Sequence, residues 1–163
     1  MNSSRRSFLF RFGIFLNGVA ASLIGIPILG YLLAPVRTRA LQAWIPLGDV
    51  DDYETGRTAL AEYENPFTVP WDGETARIPC WVRREPGDVF SVFAINCTHL
   101  GCPVRWFEGS GLFMCPCHGG VYYADGTVAS GPPPRPLYRY ETEIRDGRLW
   151  VRGGRLPTLS ESV

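Results

Sequence analysis

Apolar and polar residues are distributed along this chain in two unlike ways. From Phe12 to Ala34 the apolar residues run on for about 23 positions without a charge, and Asn17 is the one clearly polar side chain. At ~1.5 Å per residue, a helix of that length reaches ~34 Å, enough to cross a ~30 Å hydrocarbon layer. From about Arg37 onward the apolar runs are short, alternate with polar residues and are punctuated by glycine, proline and aspartate. Strands are predicted near Ala43–Leu47, Arg57–Tyr63, Arg77–Arg83, Val89–Ile95, Val104–Phe107, Leu112–Met114, Val121–Tyr123, Tyr138–Ile144 and Arg148–Val151. Between them fall turn signals such as Glu85-Pro86-Gly87-Asp88, Glu108-Gly109-Ser110-Gly111, Ala124-Asp125-Gly126 and Arg145-Asp146-Gly147. Nothing after Pro35 sustains a helical period. The pattern predicts one N-terminal transmembrane helix followed by an all-β unit. That unit is a small antiparallel sandwich or partly closed barrel, with its interesting loops at one end.

Length and charge narrow the picture. At 163 residues there is room for one ordinary domain and a tail, and 16 basic residues balance 16 acidic ones. No basic surplus argues for a nucleic-acid partner. A β unit of roughly 120 residues buries only a modest core, so a metal group or a disulfide would help to hold it.

The segment ahead of the apolar run reads Ser4-Arg5-Arg6-Ser7-Phe8-Leu9. Paired arginines before a hydrophobic stretch have the pattern of a bacterial twin-arginine export signal. The plainer alternative is that Arg5, Arg6 and Arg11 are only the positive flank that keeps a helix end in the cytoplasm. The apolar run is longer than that of a cleavable signal and lacks a convincing small-x-small cleavage site, so the anchor is expected to be retained. Pro27 would kink this helix or be satisfied by a neighbour, and Asn17 with Gly13, Gly18, Gly25 and Gly30 either packs against partner helices or faces lipid. The expected organisation is a cytoplasmic signal region (1–11), an anchor helix (12–34), a tether (35–43), a β domain (44–156) and a tail (157–163). With the arginines inside, the β domain lies on the outer, oxidising side of the membrane, where disulfides are permitted.

The chemistry is concentrated in two segments, Cys97-Thr98-His99-Leu100-Gly101-Cys102-Pro103 and Cys115-Pro116-Cys117-His118-Gly119-Gly120-Val121-Tyr122. They hold both histidines and four of the five cysteines in the chain. Cys-x-His and Cys-x-x-His each let a short loop aim one thiolate and one imidazole at a common centre. Two sulfurs and two nitrogens could hold tetrahedral zinc, or an iron pair with thiolates on one iron and imidazoles on the other. Cys102 and Cys117 are not needed for a four-coordinate metal, and in an oxidising compartment they can join the two loops. Four structural disulfide cysteines would leave the regular Cys/His pairing unexplained. The remaining Cys80, between Pro79 and Trp81 in a predicted strand, reads as a small buried hydrophobe.

These two segments resemble the cluster-binding loops of Rieske iron–sulfur proteins, and in particular those of cytochrome bc and bf complexes, which have Cys-Thr-His-Leu-Gly-Cys and Cys-Pro-Cys-His-Gly. Gly131-Pro132-Pro133-Pro134-Arg135-Pro136-Leu137 is similar to the family's proline-rich loop, which covers the cluster from a third side. The detailed resemblance spans about Phe90 to Val151. It implies one 2Fe–2S cluster in a cluster-binding part at about 96–136, with Cys97 and Cys115 on the buried iron and His99 and His118 on the solvent-facing one. It implies a Cys102–Cys117 disulfide, a hydrogen bond from His118 to quinol, and a Tyr122 hydroxyl bonded to a ligand sulfur. Leu100, Gly120, Gly131, Pro132 and Pro133 would surround the cluster. At Gly120 many family members have a serine that donates to a bridging sulfide; its lack implies a lower potential, suited to menaquinol.

The function implied is the electron-transferring subunit of a membrane quinol–cytochrome c reductase. His118 would take a proton as the electron arrives, and the head would move on its tether. Its partners would be a cytochrome b-type membrane subunit, quinol and a c-type cytochrome. The alternative is a relay subunit of an exported molybdenum oxidase of the arsenite-oxidase kind, which never touches quinol.

Overall fold

A computed structural model describes residues 4–38, 43–68 and 71–153. Part of the expected tether (39–42) and the whole expected tail (157–163) lie outside the described residues. The chain divides into two units, Met1–Ala40 and Leu41–Val163.

The first unit is a single helix, α1 (Arg5–Thr38), continuous through Pro27. Ser4 stands at its start, where its carbonyl and hydroxyl both accept from the Ser7 N–H. The helix therefore includes the arginine pair as well as the apolar run. Over Arg5–Leu33 it is long and apolar enough to cross a membrane. Its polar groups are satisfied from within: the Asn17 amide donates to the Gly13 carbonyl at 2.8 Å and the Ser22 hydroxyl to the Gly18 carbonyl at 2.8 Å. Neither side chain requires a partner helix in lipid.

The second unit contains β1 (Ala43–Asp49), β2 (Thr58–Glu64), β3 (Arg77–Glu85), β4 (Val89–Ala94), β5 (Arg105–Phe107), β6 (Leu112–Met114), β7 (Val121–Tyr123), β8 (Val128–Ser130), β9 (Arg139–Tyr140), β10 (Thr142–Arg145) and β11 (Arg148–Gly153). They form three sheets, ordered β1-β11-β10, β2-β3-β4-β9 and β5-β6-β7-β8. Every strand pairing is antiparallel. Two departures from the sequence pattern have simple causes. The stretch expected as one strand at Tyr138–Ile144 is two, because the chain changes sheets at Glu141: β9 pairs with β4 and β10 with β11. Strand β8 was not foreseen. It is three residues long, and its pairing with β7 is interrupted by a register shift.

The buried side chains make two cores that share a wall. The larger core takes Ile78, Cys80 and Val82 from β3 and Phe90, Val92 and Ala94 from β4, and packs them against Ile45, Tyr63, Tyr140, Leu149 and Val151. The smaller core lies on the opposite face of the same two strands. There Phe93, with Trp81 beside it, meets Phe113, Tyr122, Val104, Leu137, Cys97 and Cys115. Side chains alternate across a strand, so β3 and β4 can serve both cores. That double duty explains why β4 is almost wholly apolar instead of alternating.

Candidate metal-cluster site

The smaller core ends in two loops built to one plan. In the first, the Cys97 N–H donates to the Cys102 carbonyl at 2.8 Å and the Gly101 N–H to the Cys97 carbonyl at 2.8 Å. In the second, the Cys115 N–H donates to the Gly120 carbonyl at 2.7 Å and the Gly119 N–H to the Cys115 carbonyl at 3.2 Å. Each loop thus opens on a buried cysteine and turns back at a left-handed glycine four positions later, with φ of +82° at Gly101 and +69° at Gly119. The unequal spacings Cys-x-His and Cys-x-x-His hide this equivalence, and the shared glycine offset is the signal that reveals it.

The loops bring the six expected cysteines and histidines together. Cys97 and Cys115 are buried and free, and both belong to the smaller core. His99 is half-buried and His118 exposed, with their rings edge-to-face and centroids 4.9 Å apart. Cys102 and Cys117 are joined by a disulfide with Cα atoms 6.5 Å apart, tying one loop to the other.

The surroundings hold these groups in place. Tyr122 is fully buried, and its hydroxyl lies 3.1 Å from Cys97 Sγ. The same oxygen accepts from the Thr98 N–H at 3.0 Å. The Thr98 hydroxyl donates to the Arg135 carbonyl at 2.6 Å, which ties the first loop to the proline-rich segment. Thr98 was not singled out from the sequence, although it sits between two predicted ligands. Gly131 faces the second loop so closely that a Cβ there would stand 2.6 Å from the Gly119 carbonyl oxygen. Gly120 is likewise pressed on Pro133, whose Cγ would be 2.7 Å from an added Cβ. Pro133 is buried in this contact, whereas Pro132 is exposed and Leu100 is 61% exposed. Beneath the loops, Phe113 is packed by Trp106, Trp81 and Phe93 with centroids 4.7, 5.9 and 5.9 Å away. The Trp81 indole N–H donates to the Val104 carbonyl at 3.2 Å.

Burial pushes the Cys97 thiol up from its ordinary range, against the pull of the Tyr122 hydroxyl, and the neighbouring Cys115 adds to the rise. Burial, with Cys97 beside it, pushes the Tyr122 hydroxyl up to about 12. Among the described residues His99 Nδ1 is buried and has no hydrogen-bond partner. A buried nitrogen left alone costs about 1–3 kcal/mol, so this atom calls for a partner. Two buried thiols and two facing imidazoles, one of them with an orphaned ring nitrogen, are a donor set suited to a mixed sulfur–nitrogen metal group. The trio Cys102, Cys115 and Cys117 also clusters its sulfurs, but two of the three are consumed in the disulfide.

Known proteins bear on which group this is. The Rieske [2Fe-2S] domain family matches residues 43–141. The cytochrome b6-f complex iron-sulfur subunit of Chlorobaculum tepidum is 31% identical over 147 residues, covering 90% of this chain and 74% of that protein. The menaquinol:cytochrome c reductase iron-sulfur subunit of Geobacillus thermodenitrificans is 32% identical over 154 residues, covering 91% and 90%. Its counterpart in Bacillus subtilis is 31% identical over 153 residues, with the same two coverages of 91% and 90%.

Proposed function

The chain belongs to the Rieske [2Fe-2S] family, and we propose that it is the membrane-anchored electron-transfer subunit of a quinol–cytochrome c reductase. In this reading Cys97 and Cys115 hold one iron of the cluster and His99 and His118 the other. The cluster, when bound, supplies a one-electron site at a higher potential than an all-thiolate cluster has. The protein is the carrier, and the reductase activity belongs to the complex. Its partners are a cytochrome b-type membrane subunit and a c-type cytochrome. The head occupies 44–156, with the cluster-binding part at about 96–136. Arg5, Arg6 and Arg11 stay on the cytoplasmic side after twin-arginine export, and the β unit works outside.

The observation that carries this reading is the split of the donor set between buried thiols and an exposed imidazole. A quinol hydroxyl can reach His118 while Cys97 and Cys115 stay shielded. His118 accepts the hydrogen bond through a ring nitrogen and takes the proton as the electron leaves the quinol. The exposed Leu100, next to His99 in the chain, offers an apolar contact to a quinol pocket. Tyr122 keeps its hydroxyl on Cys97 Sγ, and the disulfide holds the two loops at a fixed separation. A redox titration of the membrane-bound chain tests the proton step. The midpoint potential should fall as pH rises, and a potential independent of pH would remove the role given to His118.

Menaquinol is the favoured quinol. The Geobacillus and Bacillus relatives carry that name, and Gly120 brings no hydroxyl to the site. A midpoint near about +300 mV, the top of the Rieske range, would refute this assignment. Gly120→Ser tests the missing donor, but its Cβ must also displace Pro133. Gly120→Ala makes the same displacement without a hydroxyl. The serine variant should therefore lie about 40 mV above the alanine variant, the equivalent of ~1 kcal/mol for one hydrogen bond.

A further inference from the structure

The sulfur atoms of Cys102, Cys115 and Cys117 lie within 4.8 Å of one another. Two are bonded together, and the third belongs to a free thiol. That thiol is packed with the free thiol of Cys97 in the same small core. A relay of four sulfurs thus runs from exposed Cys117 through half-buried Cys102 to buried Cys115 and Cys97. Thiol–disulfide exchange needs only a free thiol beside a disulfide, with no outside oxidant, because the number of S–S bonds is conserved.

Resting on the assignment of Cys97 and Cys115 as ligands, we propose that Cys115 is an internal nucleophile toward the Cys102–Cys117 disulfide whenever the cluster is absent, and that the exchange leads to a chain that cannot be loaded. In the first step Cys115 Sγ bonds to Cys102 Sγ, the Cys102–Cys117 bond breaks, and its electron pair leaves on Cys117. The proton given up by Cys115 returns, through solvent, to exposed Cys117. Attack on Cys117 instead would bridge two residues separated only by Pro116, a poor geometry for a disulfide. In the second step Cys97 attacks Cys115 Sγ, which forms Cys97–Cys115 and releases Cys102 as a thiol. One disulfide exists before and after. The end state has consumed both thiols meant for iron. Iron on Cys97 and Cys115 removes the nucleophiles, so a loaded head keeps its loop bridge. The order of assembly is therefore constrained: cluster first, disulfide second.

The test uses the full-length chain purified with its cluster in detergent. Iron is stripped with a chelator without oxygen, samples are quenched at intervals with N-ethylmaleimide, and disulfides are mapped by peptide mass spectrometry. The loaded chain should show only Cys102–Cys117, with Cys97 and Cys115 protected. After stripping, Cys102–Cys115 and then Cys97–Cys115 should replace most of it, with maleimide on Cys117. Cys97→Ser and Cys115→Ser each lack a proposed ligand, so they are mapped as purified, without stripping: the first should hold Cys102–Cys115 and the second Cys102–Cys117. A stripped wild-type chain that keeps Cys102–Cys117 while Cys115 is alkylated overturns the proposal. Alkylation of Cys115 in the loaded, still coloured chain would instead overturn the ligand assignment.

Discussion

The two cores of the β unit are held together by different means. The larger one lies among strands of up to nine residues, and β2 and β3 pair residue for residue from Thr58↔Arg83 to Glu64↔Arg77. Burial and a long ladder suffice there. The smaller one lies under β5, β6, β7 and β8, each three residues long, and two of its buried residues are free cysteines. Such strands carry few ladder bonds, and thiols pack as small hydrophobes. This lobe relies on its aromatic plug, the disulfide, the clamp of Pro133 on Gly120 and the family's cluster. A scaffold that must position metal ligands spends its core on them and needs fastening from elsewhere.

The largest test of that contrast removes a ring. Phe113→Ala should cost about 3–5 kcal/mol and bleach the cluster, because the ring fills the space among Trp81, Phe93 and Trp106 below Cys97 and Cys115. Leu149→Ala, equally buried in the larger core, should cost about 2–5 kcal/mol yet leave the visible spectrum intact as long as the chain is folded. Denaturant titration followed by both circular dichroism and cluster absorption reads the two effects. Equal bleaching by both changes would break the division into two cores.

The disulfide comes next. Its sequence separation of 15 residues corresponds to about 3 kcal/mol of chain entropy. Replacing Cys102 and Cys117 by alanine should speed amide exchange in β5 to β8 and lower the temperature at which colour is lost. Exchange in β2, β3 and β4 should stay close to that of the parent. A uniform rise across all strands would mean that the bridge stabilises the whole unit and not the lobe alone.

Much of this was legible beforehand, for reasons that differ by region. The larger core announces itself through the short apolar run between the charged ends of Arg77–Arg83, and the anchor through a much longer unbroken one. The two cysteine–histidine segments stand out because side chains that rare do not cluster by chance. What stayed hidden depends on how strands pair and loops meet, not on the pattern within one segment. Val128–Ser130 has little strand character of its own, and becomes a strand only because the Asp125-Gly126 turn folds it back on Val121–Tyr123. Tyr140 joins its sheet through Val92, far back in the chain, whereas Thr142 pairs with Val151 across the next hairpin, so the switch at Glu141 shows in no local pattern. Thr98 looks ordinary until the proline-rich segment is laid against the first loop.

A smaller effect is expected from one oxygen. Tyr122→Phe keeps the ring in the core but removes the group facing Cys97 Sγ and the acceptor of the Thr98 N–H. A hydrogen bond to the ligand sulfur favours the more negative, reduced state, so its loss should lower the midpoint potential by about 40 mV, or ~1 kcal/mol. The larger core should be indifferent, with its denaturation unchanged. An unaltered potential would show that the hydroxyl serves packing of Thr98 and not the electronics of the site.

The smallest effect tests whether the lobe's fastening extends to its farthest turn. Asp125 Oδ1 accepts from the Thr127 N–H at 2.9 Å and from the Thr127 hydroxyl at 2.6 Å. These bonds, the hydroxyl's first, hold the Asp125 carboxyl below the usual carboxylate range. The turn they fix places the Gly126 carbonyl to accept from the Leu137 N–H, where the proline-rich segment re-enters the core. A carboxyl whose pKa is lower folded than unfolded binds protons more readily in the unfolded chain. Its stabilisation is therefore full above its unfolded pKa, near about 4, and is lost as pH falls through the folded value. Asp125→Asn keeps an acceptor but does not titrate. The wild-type chain should thus be the more stable of the two near pH 6, by less than about 1 kcal/mol for so exposed a group, and the gap should close below about pH 4. Comparing the two variants at each pH cancels whatever acid does to the cluster. A gap that persists unchanged at low pH would assign the stabilisation to the shape of the turn, and the charge on Asp125 would then contribute nothing to holding the lobe closed.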